Sequence, residues 1–161
     1  MSVEKKIDVL GIGNAIIDVI ANADDAFLSN HNLNKGSMTL VDETVSKNIY
    51  ASMENKVQMS GGSAANTIFG ISQLGCKSAF IGKRSNDELG NIFHADLANS
   101  DIDFTTRPLD TGESSARCLI LVTSDAERTM ATFLGSSSKL TLEDINEEQI
   151  ASSKILYLEG Y

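Results

Sequence analysis

The chain has no tryptophan, a single proline and two cysteines among its 161 residues, and no apolar run near the roughly 20 residues that cross a bilayer. Each scarcity removes a class of protein. Cys76 and Cys118 share no CxxC spacing and cannot build a disulfide framework, so reduced thiols are expected. His31 and His94 stand far from each other and from either cysteine at metal spacing, so no metal site made by this chain is expected. The opening MSVEKKIDVL holds charges but no long apolar segment and no small-residue cleavage site, and does not read as a signal peptide. A cytoplasmic location is the expectation. Basic residues are scarce too: 13 Lys and Arg against 22 Asp and Glu give a net charge of −9. Proteins that track phosphate backbones carry a basic face, so nucleic acid is not expected as a partner, nor is a membrane. A small anionic ligand remains compatible, because a few backbone amides hold a phosphate inside an acidic protein.

What is present suits one globular domain, with 42% hydrophobic and 22% charged residues. IDVLGIG at 7–13 predicts a buried strand, and AIIDVIA at 15–21, β-branched with Asp18 as its one charge, predicts a second. Asp24 and Asp25 open a short helix over AFLSNH, and KGSMTLVDE predicts a strand around Ser37–Val41. Asp42 reads as the N-cap of a helix whose apolar face is Val45, Ile49 and Met53. Lys56–Ser60 is a short strand leading to Gly61-Gly62, and the helix that follows aligns Ala64, Ile68 and Ile71 and stops at Gly75. KSAFIGK is the next strand; a helix from Asn86, Asp87 and Glu88 then buries Leu89, Ile92, Phe93 and Leu97. ARCLILVTS and ERTMATFLG are strands joined by a tight turn, TLEDINEEQIASS a final helix and KILYLEG a final apolar strand. Strand–helix alternation from Lys56 onward predicts an α/β fold with a mainly parallel sheet. The strand near Ser37–Val41 and the Ala116–Leu134 hairpin break that rhythm, as a separate small sheet or an antiparallel edge.

Three short motifs are turn chemistry. GIGNAI at Gly11–Ile16 has half of a dinucleotide fingerprint, but Ile16 stands where the third glycine belongs and β-branched residues follow where a helix is needed. DTG at Asp110–Gly112 is a single copy of the aspartic-protease triplet, and GESSA lacks the GxSxG of a nucleophile elbow. A further group of residues agrees better. Asn14 and Asp18 flank the first strand–strand connection, and Gly61-Gly62 precede a helix that begins with Ser63 and carries Asn66 one turn on. Small groups that donate and accept, beside exposed backbone N–H groups, are what recognition of sugar hydroxyls requires. Taken singly, Asn14 closing a turn, Asp18 facing water on an edge strand and Asn66 capping locally explain the same residues.

DVLGIGNAIIDVIA, KGSMTLVDE, SGGSAANTIFGISQLG, FIGKRSNDELG and ARCLILVTSDAERTMATFLGSS follow one another in the order and spacing of the PfkB-type carbohydrate kinases of the ribokinase superfamily. The chain resembles their adenosine-kinase-like branch over essentially its whole length. The resemblance implies a ribokinase-like fold, a mainly parallel sheet flanked by helices with a small antiparallel β lid, of which residues 1–161 would be the N-terminal part, with lid strands at about 36–41 and 115–134. It implies that Asp18 binds two hydroxyls of an acceptor sugar or nucleoside, that Gly61 and Gly62 bring backbone amides against the same ring, and that Asn66 completes the clamp, with Asn14 and Ser63 lining the pocket. A carboxylate can take two vicinal O–H groups and a glycine pair leaves no Cβ in the way, which suits those roles. Met38 and Leu40 would offer apolar contact from the lid, and Arg128 matches a basic position linked to the closed state. Ile68 and Ser85 depart from the family's usual small residue and glycine at those positions.

The activity so implied is in-line phosphoryl transfer from ATP, with Mg2+, to a sugar hydroxymethyl group. In these kinases the base and the anion hole come from a Gly-Ala-Gly-Asp segment, which this sequence does not contain, nor does it contain a GxxxxGK[ST] loop. The chain is therefore expected to hold the acceptor site and lid of a kinase without its catalytic base or its ATP site. A binding module without turnover and a purely structural α/β layer are the other readings. In this family lids either stay with their subunit or build a dimer interface, so a homodimer stands beside a monomer.

Overall fold

The computed structural model describes residues 4–159. In chain order it holds β1 (Ile7–Ile12), β2 (Ile16–Asn22), α1 (Asp25–Asn30), β3 (Met38–Leu40), α2 (Glu43–Ser52), β4 (Val57–Gly61), α3 (Ser63–Gln73), β5 (Ser78–Ile81), α4 (Glu88–Asn99), β6 (Ile102–Asp103), β7 (Ala116–Val122), β8 (Arg128–Phe133), α5 (Glu147–Ala151) and β9 (Ser153–Leu158). Two 3-10 turns, Gly135–Lys139 and Leu142–Asp144, connect β8 to α5.

The strands fall into two sheets. One is all parallel, in the order β6-β5-β1-β9. Its inner strands β1 and β5 are short and apolar because both of their faces are covered. On one side Leu10, Ile12, Ala79 and Ile81 pack against Leu140, Ile145 and Ile150. On the other, Phe80 meets Phe93 of α4 and Phe104 beyond β6, with ring centroids 5.8 and 5.9 Å away, and both helices α3 and α4 lie on that side. The second sheet runs β3-β8-β7-β2-β4. Its β2–β7 and β3–β8 pairs are parallel, and its β2–β4 and β7–β8 pairs antiparallel.

That second sheet is larger than the small antiparallel one expected. β2 and β4 join it, although the alternation from Lys56 onward had assigned β4 to the parallel sheet. The reason lies in their one-sided pattern: Ile17, Val19 and Ala21 are buried while Ile16, Asp18 and Ile20 keep partial exposure. A strand covered on one face alternates, whereas the interior strands of a parallel sheet do not.

Local signals placed most helices correctly. Asp24, Asp42 and Asp87 each accept a backbone N–H three residues on, at 2.7 to 2.8 Å, as N-caps of α1, α2 and α4. α3 ends on Gly75 at φ +86°, where Gly75 N bonds Ser72 O and Cys76 N bonds Ile71 O, the paired bonds of a Schellman stop. The expected helix over TLEDINEEQIASS is broken instead. Asp144 turns back to the Thr141 N–H and hydroxyl and pairs with Lys83, and Asn146 starts a fresh helix by accepting from Gln149 N at 3.0 Å. Among the described residues no helix is long and apolar enough to cross a membrane.

Candidate active site

β1 ends at Ile12, and the chain turns through Gly13-Asn14-Ala15 from the parallel sheet into β2 of the mixed one. Three residues into β2, Asp18 lies between Met59 of β4 and Cys118 of β7 in register. β4 then runs back antiparallel, so that Ile16 pairs with Gly61 and the chain returns through Gly62 to α3. Two crossings between the layers therefore sit side by side, and they carry Asn14, Asp18, Gly61 and Gly62.

The glycines have a physical reason in the structure itself. A Cβ at Gly61 would collide with the Asp18 carboxylate, which lies directly over that backbone. Gly62 holds φ +89°, and a Cβ there would come within 2.7 Å of the Asn14 carbonyl oxygen. Only glycine fits both demands.

Asp18 is half-buried, and among the described residues it makes no hydrogen bond or ion pair. Loss of hydration alone pushes its carboxyl above the usual range. Its surroundings on the sheet face are apolar. Residues directly opposite each other on neighbouring strands share a face, so Met38, Leu40, Met130, Ile120, Val57 and Met59 lie on the Asp18 side. Met38 and Leu40 are 54% and 60% exposed, which leaves that face uncovered. Arg128, exposed at the hairpin end of β8, is on the same side. Met38 and Arg128 thus share the face of Asp18, at its far strands.

Ser63 and Asn66 point to neighbouring features. Ser63 opens α3, and its hydroxyl donates to Glu159 Oε1 at 2.8 Å, an oxygen that also accepts from the Tyr157 hydroxyl at 2.5 Å. Asn66 lines a surface cleft of about 360 Å3 with Met59, Ser60, Phe69 and Asp96, a cleft that Asp18, Gly61 and Gly62 do not line. Three larger clefts, of about 500, 640 and 700 Å3, hold none of the six candidate residues; the two largest are formed mainly by residues around 103–107 and 141–152.

Glu159, Cys118 and Met59 are brought to this region by the fold and were not singled out in the sequence. Glu159 follows β9 at the same end of the parallel sheet as Gly13, its N–H bonding Ile12 O, and the carboxyl ends of parallel strands are where such sheets bind ligands. An acidic residue closing an apolar strand is the signal that could have found it. Among the described residues no three His, Cys, Asp or Glu side chains are grouped to hold a metal ion, and Arg128 is the cation on the Asp18 face.

Asp18 thus stands on the mixed-sheet face beside the two layer crossings, and its carboxylate accepts no hydrogen bond from the described residues. The pfkB family carbohydrate kinase model matches residues 6–161, and the chain belongs to that family. Guanosine-inosine kinase of Escherichia coli (strain K12) is 29% identical over 160 residues, 95% of this chain and 37% of that protein. Among solved structures, adenosine kinase from Sinorhizobium meliloti is 44% identical with a TM-score of 0.85, covering 95% of this chain and 47% of that one. A probable sugar kinase protein from Rhizobium etli CFN 42 is 37% identical with a TM-score of 0.86, covering 96% and 47%. The chain spans less than half the length of these relatives.

Proposed function

We propose that this chain is the acceptor-binding part of an ATP-dependent sugar or nucleoside kinase, with adenosine first among its acceptors. The observation that carries the reading is the unpartnered Asp18 carboxylate laid over Gly61. A half-buried carboxylate without hydrogen bonds is costly to keep, and two vicinal hydroxyls would donate one bond to each of its oxygens. A ring so held would lie beside Gly62 and the start of α3, with its apolar portion against the Met38, Leu40 and Met59 face. The mixed sheet acts as a cover that excludes water from the acceptor. The similarity to an adenosine kinase and a guanosine-inosine kinase supports a purine nucleoside.

In the reaction the acceptor hydroxymethyl oxygen bonds the γ-phosphorus of ATP as the bond to the departing ADP oxygen breaks, and its proton passes to a base. This chain's residues orient the acceptor. On this reading the chain binds the acceptor, and its sequence contains no Gly-Ala-Gly-Asp segment to supply the base.

Isothermal titration of the chain with adenosine, ribose and fructose tests this. Adenosine binding is expected, with Asp18→Ala losing about 100-fold or more in affinity while circular dichroism stays unchanged, since two charge-assisted hydrogen bonds disappear. Equal affinity for all three ligands, or unchanged affinity in the variant, would remove the proposal.

A further inference from the structure

Asp87 does more than its place in the chain requires. As the N-cap of α4 its Oδ1 accepts from Gly90 N at 2.8 Å. The same carboxylate reaches past the helix. Oδ1 also accepts from the Ser115 hydroxyl at 2.6 Å, and Oδ2 accepts from Ser115 N at 2.8 Å. Ser115 is 1% exposed and immediately precedes β7. Its hydroxyl oxygen in turn accepts from Ser85 N at 3.0 Å, and the Ser85 hydroxyl donates to Glu113 O at 2.5 Å. The packing leaves no slack, since a Cβ at Gly90 would collide with Ser85 O and lie 2.6 Å from the Ser115 hydroxyl. Burial works to raise the Asp87 carboxyl, but the bonds from Ser115 and Gly90 and the nearby Arg117 charge outweigh it and hold the group below the usual range.

A helix cap needs one of these bonds. The two to Ser115 serve no helix: they fasten the root of β7 to the layer of the parallel sheet. From that root β7 pairs with β2 in the register Ile16–Ala116 and Asp18–Cys118. The root is held from the other side as well, where the Ser114 hydroxyl donates to Glu43 Oε1 at 2.9 Å and Arg117 Nε donates to the Ser46 hydroxyl at 2.9 Å. We infer that Asp87 is a positioning residue: it fixes where β7 enters the mixed sheet, and through the β7–β2 pairing it holds the Asp18 face in place against the parallel sheet. The anchoring stands on these contacts alone; its effect on acceptor affinity rests on the function proposed above.

Asp87→Ser separates the two roles. Serine is as good an N-cap as aspartate, but its single oxygen cannot also hold both Ser115 groups. In hydrogen exchange, amides 115–118 of the variant are expected to exchange at least about tenfold faster while those of the first turn of α4 keep their wild-type rates, and adenosine affinity falls about tenfold. Ser115→Ala, which leaves the cap whole, is expected to shift the same amides by a smaller factor and serves if D87S does not fold. Unchanged exchange at 115–118 in the variant that folds overturns the inference, as does faster exchange with adenosine affinity intact. A wild-type chain that binds no adenosine defeats the acceptor reading instead, and the anchoring is then decided by exchange alone.

Discussion

The Asp18 carboxylate gives up hydration on a largely apolar sheet face and receives no hydrogen bond from the described residues in return. Its raised folded-state value has a definite sign for stability. Between the unfolded aspartate value of about 3.9 and the higher folded one, the native state holds a proton that the unfolded chain has released, so stability falls as pH rises through that window. Asp18→Asn removes this dependence. The variant is expected to melt higher than wild type at pH 7 and to converge with it in acid, read by thermal denaturation across pH, while losing its acceptor. A variant that melts lower at pH 7 would mean that Asp18 has a stabilising partner. Gly61 belongs to the same balance, because the carboxylate occupies the volume a side chain would need.

Among the elements, the break between the Leu142–Asp144 turn and α5 is governed by a single buried ion pair. Lys83 follows β5, Asp144 closes the 3-10 turn, and their side chains are 10% and 7% exposed. Removing one partner leaves the other charge buried and unpaired. Asp144→Ala is therefore expected to destabilise by about 3 kcal/mol in urea denaturation, and the double variant with Lys83→Met to recover much of that. A double variant no better than the single one would show that the turn, not the charge, carries the loss. The same pair explains why TLEDINEEQIASS does not form one helix: Asp144 is drawn away from the helix path by a lysine some sixty residues upstream, which no local pattern reveals. β2 and β4 are comparable cases, since their alternation was readable while their partners in the mixed sheet were not.

Two of the exposed apolar surfaces among the described residues bear on how the chain associates. One is the Asp18 face. The other is the outer strand β9, which pairs with β1 and leaves Ile155, Leu156 and Leu158 at 59%, 46% and 65% exposure. An exposed apolar edge strand is a template for pairing with another chain. The 161-residue chain is expected to self-associate at high concentration, and Ile155→Lys with Leu158→Glu to reduce this, as followed by light scattering. A clean monomer at every concentration would show that the edge is protected.

The starts of α1, α2 and α4 and the end of α3 were legible in the chain, through Asp24, Asp42 and Asp87 as caps and Gly75 as a stop, because capping is satisfied within a few residues. The family was legible too, through ordered segments between Asp8 and Ser137, and the pfkB family model matches residues 6–161. Asp18 and the glycine pair were marked as candidates by residue type, by their place beside a strand and a helix start, and by the family resemblance. Only the tertiary structure decided that Asp18 lies over Gly61, that β2 and β4 leave the parallel sheet, and that Glu159 meets Ser63. These are contacts between residues 43 and 96 positions apart, or choices of strand partner, and a chain settles them by which apolar faces it can cover together rather than by any local preference.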